Sequence, residues 1–279
     1  TLSISDTNLE NKMKIFYDHV ISKQADTDFN YTLISAWVYS GEEDEALATG
    51  WLPTYFYTND CEFVNESEAN NKQIWCQLRS TRIECEKFRA KSKHLKALKL
   101  NNFSYKYITI DDLNLQSNKD QIKDRLYYLY DKYVTHKNYK DILDKENFLK
   151  YVIDDSSHFI LFYLNDEIVA CTAMQQFGSA LVSGLFFWDY SDPQLSLGNL
   201  SNHLEVELCK RFNFKYLYIG VYSEIPSQYK SYIKGVQVWT GRKWMSNKRQ
   251  LIDIAKSDSH SNTLEDFVDY NKFQKLLEF

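Results

Sequence analysis

The 279-residue chain has no apolar run long enough to span a bilayer, and no basic–apolar–small segment opens it. A cytoplasmic protein with no membrane partner is therefore expected. Its five cysteines (Cys61, Cys76, Cys85, Cys171, Cys209) are odd in number, scattered and form no C-x-x-C, which argues for free thiols rather than a disulfide framework. Two cysteines fifteen positions apart, Cys61 and Cys76, with an isolated His94, make no recognisable zinc or iron–sulfur pattern, and no metal is expected. There is no internal repeat and no low-complexity tract. Net charge is only −5, so a nucleic acid would have to be met by a local basic patch rather than by the field of the whole chain.

What is present is enough chain for a sizeable core, with 21 tyrosines and 17 phenylalanines. Leu9, Met13, Phe16 and Val20, after Asp6 as cap, predict an amphipathic helix. Glu42 to Thr49 predicts a short helix ending at Gly50. From Ile74 to Asn101 the charge turns basic, with Arg79, Arg82, Lys87, Arg89, Lys91, Lys93, Lys96 and Lys99; either a solvated helix face or a phosphate-binding footprint would look like this. Asp111 to Leu115 reads as a linker. Ile122, Leu126, Leu129 and Tyr133 form a helical stripe, and Glu146 to Ile153 a further helix. Phe159–Leu164 and Ile168–Met174 around Asn165-Asp166 read as a hairpin, as do Val236–Thr240 and the residues around Trp244. Ser257 to Asn262 reads as a linker before a capping box at Thr263-Leu264-Glu265-Asp266 and a last amphipathic helix.

The densest signal lies between Leu181 and Gly235. An apolar aromatic run through Phe186-Phe187-Trp188 closes at Asp192-Pro193, and Ser196-Leu197-Gly198-Asn199 opens a helix bearing Leu200, Leu204, Leu208 and Phe212. Lys215 to Tyr222 then reads as a second strand. Strand, loop, helix and strand make a βαβ crossover, whose helix start suits an anion.

These residues carry a resemblance. Phe186-Phe187-Trp188-Asp189, Ser196-Leu197-Gly198, the helix with Glu205, Tyr218-Ile219-Gly220, and Tyr232-Ile233-Lys234-Gly235 with Trp244 resemble the C-terminal half of the arginyl- and leucyl-tRNA–protein transferases. Arg82-Ile83, Phe88-Arg89 and the basic run to Asn101 resemble that family's N-terminal segment. The chain departs from it in lacking a cysteine cluster before Arg82-Ile83, in having Gln175 where the family carries Asp, and in keeping only Ser183 of paired small hydroxyls. The resemblance implies an α/β (α+β) fold with a GNAT-like acyltransferase core, a central mixed sheet flanked by helices. It divides the chain into an N-terminal region, 1–110, with the basic segment 79–99, and an aminoacyltransferase domain, 111–279. It implies transfer of an arginyl or leucyl group from aminoacyl-tRNA, the co-substrate, to a protein or peptide N-terminus, with no other cofactor. Oligomeric state is not readable.

Such a transfer is aminolysis of an ester: a neutral amine must attack, an oxyanion needs donors, and the departing ribose oxygen needs a proton. The sequence shows no Gly-x-Ser-x-Gly elbow and no Cys–His pairing, in keeping with direct transfer. The matched positions imply Glu205, Tyr222, Tyr232 and Lys234 as catalytic candidates, with Glu205 either accepting the amine proton or holding a cationic donor side chain; a solvent-facing helix Glu is the plain alternative. Gln175, Ser183, Asp189, Ser196, Gly198 and Asn199 are candidates for substrate contact, Asp189 for an acceptor ammonium and the Ser-Leu-Gly loop for a tRNA phosphate. Arg79, Arg82, Arg89, Lys91, Lys93 and Lys96 are candidates for tRNA contact. The competing readings are an acyl-CoA N-acyltransferase, disfavoured by a loop with the single glycine Gly198, and a tRNA- or peptide-binding homologue without turnover.

Overall fold

The computed structural model describes residues 14–24, 27–53, 72–77, 79–139, 142–191, 195–222 and 225–258. In chain order these form β1 (Lys14–Gln24), β2 (Thr27–Tyr39), α1 (Glu43–Ala48), β3 (Trp51–Pro53), β4 (Lys72–Gln77), β5 (Ser80–Glu84) and β6 (Phe103–Thr109). Then follow α2 (Ile110–Leu115), α3 (Lys119–His136), α4 (Lys145–Phe148), β7 (His158–Leu164), β8 (Glu167–Phe177), β9 (Ala180–Trp188) and α5 (Leu197–Arg211). The last elements are β10 (Tyr216–Val221), β11 (Val236–Trp239), β12 (Trp244–Met245) and α6 (Lys248–Asp258). A 3-10 segment, Ile225–Tyr232, joins β10 to β11.

The architecture is mixed α/β. Eight strands in the order β12-β11-β5-β10-β9-β8-β7-β6 form one sheet with helices on both faces, and a smaller antiparallel sheet runs β1-β2-β4-β3. The large sheet draws strands from both sides of residue 110. One face packs under α5 through Leu197, Leu200, Leu204, Val206 and Leu208, with Ile160, Phe162, Met174, Leu181 and Leu217 rising from the strands. The other packs under α3 through Ile122, Leu126 and Leu129, with Phe148 and Phe187 meeting at 5.8 Å. Each such fully buried apolar side chain contributes ~1.5–3 kcal/mol, so the two layers hold the central strands from both faces.

The β7–β8 hairpin turns through Asn165 and Asp166, both at positive φ (51° and 64°), the pairing a two-residue primed turn demands. Gly50 takes φ +83° after α1, and a Cβ there would meet the Trp239 ring at 2.3 Å, so that position admits only glycine. Helix α4 continues into a π-helical turn, Leu149–Asp154, within the span expected to be helical.

Four expectations are corrected. Residues 14–20, the described part of the expected N-terminal helix, belong to β1, a strand in full antiparallel register with β2. The spacing of four between Phe16 and Val20 puts both on one face of a helix but, being even, on one face of a strand too, and the neighbouring Ile15, Tyr17 and Ile21 favour the strand. The expected linker 111–115 is α2: Thr109 and Asp112 form a reciprocal capping box and Leu113 is buried. The basic segment is not a helix but β4 and β5 followed by three 3-10 turns, Cys85–Lys87, Ser92–Leu95 and Ala97–Lys99. Ser257 and Asp258, expected to begin a linker, end α6, a helix with Leu251 and Ile254 in its buried stripe. Leu9, Met13, Cys61, the Asp192-Pro193 turn and the helix after Thr263 lie outside the described residues.

Candidate active site

The sheet contains one parallel pair among the described residues, β9 with β10, and the crossover helix α5 joins them. Their ladder consists of Leu217↔Leu181 and Tyr218↔Val182 and goes no further, although β9 runs on to Trp188 and β10 to Val221. The cause is a bulge in each strand at the same level. Register shifts in β9 between Ser183 and Leu185, leaving Gly184 as the extra residue, and in β10 between Tyr218 and Val221, where Gly220 takes φ +74°. Each glycine stands two residues beyond the last ladder pair. A crevice therefore opens at the carboxyl ends of two parallel strands, where open α/β sheets bind ligands.

Glu205 lies against this opening. It is on the sheet-facing side of α5 and 2 % exposed, so it is not a solvent-facing helix Glu. Its Oε1 accepts from Ser201 Oγ, which is bonded to Thr172 Oγ1 at 2.6 Å, and the Ser183 hydroxyl beside the β9 bulge also reaches the carboxyl. Oε2 lacks a partner of good hydrogen-bond geometry. Burial pushes its pKa up, and the Ser201, Ser183 and Thr172 hydroxyls only partly oppose this.

Four tyrosines form a cluster that reaches Glu205 through Tyr229. Tyr133 stands 6.2 Å from Tyr139 and 5.8 Å from Tyr190, ring to ring, and Tyr190 stacks on His136 at 4.0 Å. Burial raises the Tyr133 hydroxyl pKa, with further contributions from Tyr139, Tyr190 and Tyr229. Tyr229, on the 3-10 segment, is 56 % exposed as a residue, but local desolvation of its hydroxyl raises that pKa too, with Glu205 and Tyr139 adding to it. No local pattern sets Tyr139, Tyr190 and Tyr229 apart from the other tyrosines of the chain.

The other candidates are distributed more widely. Asp189, at the far end of β9, is paired with Lys132 (2.8 Å to each oxygen) and accepts from Ser191. Burial opposes its charge, but these donors outweigh it and hold the pKa at about 2. Gln175 lies opposite Val182, near the start of β9 and ~20 Å along the strand from Asp189. Its amide donates to the Asp155 carbonyl at 2.6 Å. Ser196 caps α5 with left-handed backbone (φ 54°), and its side chain accepts from no backbone N–H of the first turn. The Asn199 N–H turns back to Ser196 O, its side chain to Ser196 Oγ, and Gly198 packs its α-carbon towards Phe186.

Tyr222 is fully buried in a small core with Val236, Val238, Met245, Leu251 and Ile254. Tyr232 is exposed, with Lys248 Nζ 3.8 Å over its ring. Lys234 is exposed at the turn into β11, where Gly235 O accepts from Glu84 N. Glu84 faces Tyr216, so Lys234 stands by the opening of β10 and not by its carboxyl end. The lysine at the crevice is Lys230, four residues earlier, whose Nζ donates to Ile219 O (2.7 Å) and Val221 O (2.6 Å). The downstream Tyr-Lys pattern points to Lys234, whereas the side chain that reaches the carboxyl end of β10 is that of Lys230.

The basic candidates also divide. Arg82 is buried, its guanidinium held 3.7 Å from the Tyr216 ring and 3.9 Å from that of Trp244, with Nε donating to Gln237 Oε1. Arg79 is buried and donates to Thr240 O. Arg89, Lys91, Lys93 and Lys96 are exposed, and the turn Ser92–Leu95 packs on α5.

The sheet defines an α/β protein, and the sequence that builds it points to acyl transfer. Residues 123–240 match the family described as "Arginine-tRNA-protein transferase, C terminus", so the resemblance seen in the sequence holds over α3 through β11. That match supports aminoacyl transfer as the class of chemistry. No curated protein matches the chain. Among solved structures it is similar to FemX (6 % identity, TM-score 0.40, 74 % of this chain and 79 % of that one). It is similar also to the C-terminal domain of a putative lysylphosphatidylglycerol synthetase from Agrobacterium fabrum (9 %, 0.38, 76 % and 71 %). A third likeness is L-PGS from Bacillus licheniformis (9 %, 0.37, 66 % of this chain), of which the chain spans about half the length (52 %). At TM-scores below 0.5 these likenesses carry no inference about the reaction. Among the described residues no helix is long and apolar enough to cross a membrane.

Proposed function

We propose that this protein transfers an arginyl or leucyl group from charged tRNA to the N-terminal amine of a protein or peptide, an addition that marks the acceptor for degradation in the cytoplasm. The observation that carries the reading is the coincidence of the family match over 123–240 with a crevice built by the β9–α5–β10 crossover inside that span.

In this reading the aminoacyl ester enters where β9 and β10 part. The acceptor amine loses its proton towards Glu205 through the Ser183 hydroxyl, since the carboxyl itself is buried. A carboxyl whose pKa is raised by burial is a better-matched base near neutral pH than an exposed one. The first turn of α5, left uncapped by the Ser196 side chain, offers the Gly198 N–H to a terminal phosphate, with the Asn199 side chain beside it. Arg89, Lys91, Lys93 and Lys96 line the adjoining surface for the tRNA backbone, whereas Arg79 and Arg82 stiffen the sheet behind it. Asp189 and Gln175, each spent on a protein partner, take no part. Aminoacyl-tRNA is the only co-substrate, and no metal is invoked.

The test is transfer of labelled arginine or leucine from charged tRNA to peptides beginning with Asp, Glu, Arg or Lys. Labelled peptide, diminished in Glu205→Gln, is expected. Bound charged tRNA with no label on any peptide would sink the protein-tagging reading in favour of a binding role. Stabilisation by acetyl-CoA, which binds only the native state of an acyl-CoA enzyme, would favour that class instead.

A further inference from the structure

Lys230 is a buried ammonium, 8 % exposed, that none of the expected site residues includes. Its two acceptors are the carbonyls on either side of Gly220, the bulge residue of β10. Their direction fixes where the ammonium stands. The Tyr222 N–H points to the β5 side, where it meets the carbonyl of Arg79, the residue before that strand, at 2.8 Å. In a trans peptide the C=O and N–H point oppositely, so the Val221 carbonyl, in that same peptide, points away from β5 and towards the β9 side. Lys230 Nζ therefore stands on the edge of β10 that has lost its ladder to β9, in the mouth of the crevice.

Among the described residues no carboxylate pairs with this ammonium, and burial alone pushes the Lys230 pKa down, to about 8. An ammonium has three N–H donors, and the two carbonyls occupy two. A buried cation held by neutral acceptors, with a donor to spare at the parting of two strands, is suited to an oxygen on which negative charge develops.

We propose that Lys230 is the proton donor to the departing ribose oxygen, an inference that rests on the tRNA-dependent reading above. The acceptor amine bonds to the ester carbonyl carbon, and the bond from that carbon to the ribose oxygen breaks. The oxygen takes a proton from Nζ, the surplus proton of the amine passes to Glu205 and on to solvent, and solvent returns one proton to Nζ. The two carbonyls hold the amine in place throughout.

The decisive comparison sets two donors against each other with one preparation of Lys230→Met. One donor is the natural ribose ester on tRNA, whose alkoxide leaves poorly without a proton. The other is an aminoacyl p-nitrophenyl ester, whose phenolate leaves without help. Because both rates come from the same preparation, their ratio is independent of how much of the variant is folded. A loss of about 100-fold or more on the ribose ester, with a loss below about 10-fold on the aryl ester, is expected. Equal losses on both donors, or none on either, would overturn the assignment and leave Lys230 as a clamp on the β10 bulge. Absence of transfer from tRNA by the unaltered protein, with the aryl ester still turned over, would instead overturn the tRNA-dependent reading and this inference with it.

Discussion

Glu205 and Asp189 are both carboxylates beside β9, and their surroundings are opposite. Asp189, at the strand's end, meets a lysine and a serine that hold it ionised to about pH 2. Glu205, beside the bulge at Gly184, meets only hydroxyls and has its charge disfavoured by burial. A carboxylate with a resident cation is satisfied and has little to offer a substrate. One held among hydroxyls with no cation is poised to change its protonation when an amine arrives. The same contrast separates Lys230 from Lys132: the first is buried with carbonyls only, the second answers Asp189.

The contrast is broken most sharply by Glu205→Gln, which should lower kcat/KM for transfer by about 10²–10⁴ while Tm stays level or rises, because a neutral amide replaces a disfavoured charge. Full activity in this variant would assign Glu205 to packing. Reversing Lys91, Lys93 and Lys96 to Glu should weaken charged-tRNA binding by about tenfold or more and flatten its salt dependence by ~0.7–0.9 per lost phosphate contact. An unchanged salt slope would move the tRNA to another face.

Stability against pH sharpens the comparison further. The Glu205 pKa is raised, so its contribution is complete below the unfolded value and is lost as pH rises through the folded one. The Asp189 pKa is lowered, so its contribution is present above the unfolded value of 3.8 and disappears as pH falls through about 2. Urea unfolding across pH should therefore show Glu205→Gln removing a loss on the rising side and Asp189→Asn removing one on the acid side. Identical profiles for the two variants would contradict the opposite environments. The smallest effect is that of Asp189→Asn near neutral pH. Its partly exposed pair should cost no more than about 1 kcal/mol and leave transfer nearly intact, checked by Tm and peptide labelling.

Much of the fold was legible because local pattern and tertiary environment agree. The crossover from Leu181 to Val221, the primed turn at Asn165-Asp166 and the stripe of α3 all emerge where expected. The failures have local causes. Phe16 and Val20 have a spacing common to both periods, and the Thr109–Asp112 capping box is short enough to pass for a turn. At the candidate site, Glu205 stood out through its place on the helix of a recognisable motif, but its burial was not legible, since its neighbours Thr172, Ser183 and Ser201 come from three elements. Arg79 and Arg82 looked like phosphate ligands because a charge count is blind to Tyr216, Trp244 and Thr240, which meet them from well over a hundred residues away.

The sequence alone determined the order of strands and helices around Gly184, Gly198 and Gly220, and with it a parallel pair joined by α5, because hydrophobic period and glycine placement are properties of neighbouring residues. Only the tertiary structure decided that both bulges fall level, so that the strands part there, and that Lys230 rather than Lys234 reaches the gap. Those outcomes depend on register between segments distant in the chain, which no local pattern encodes.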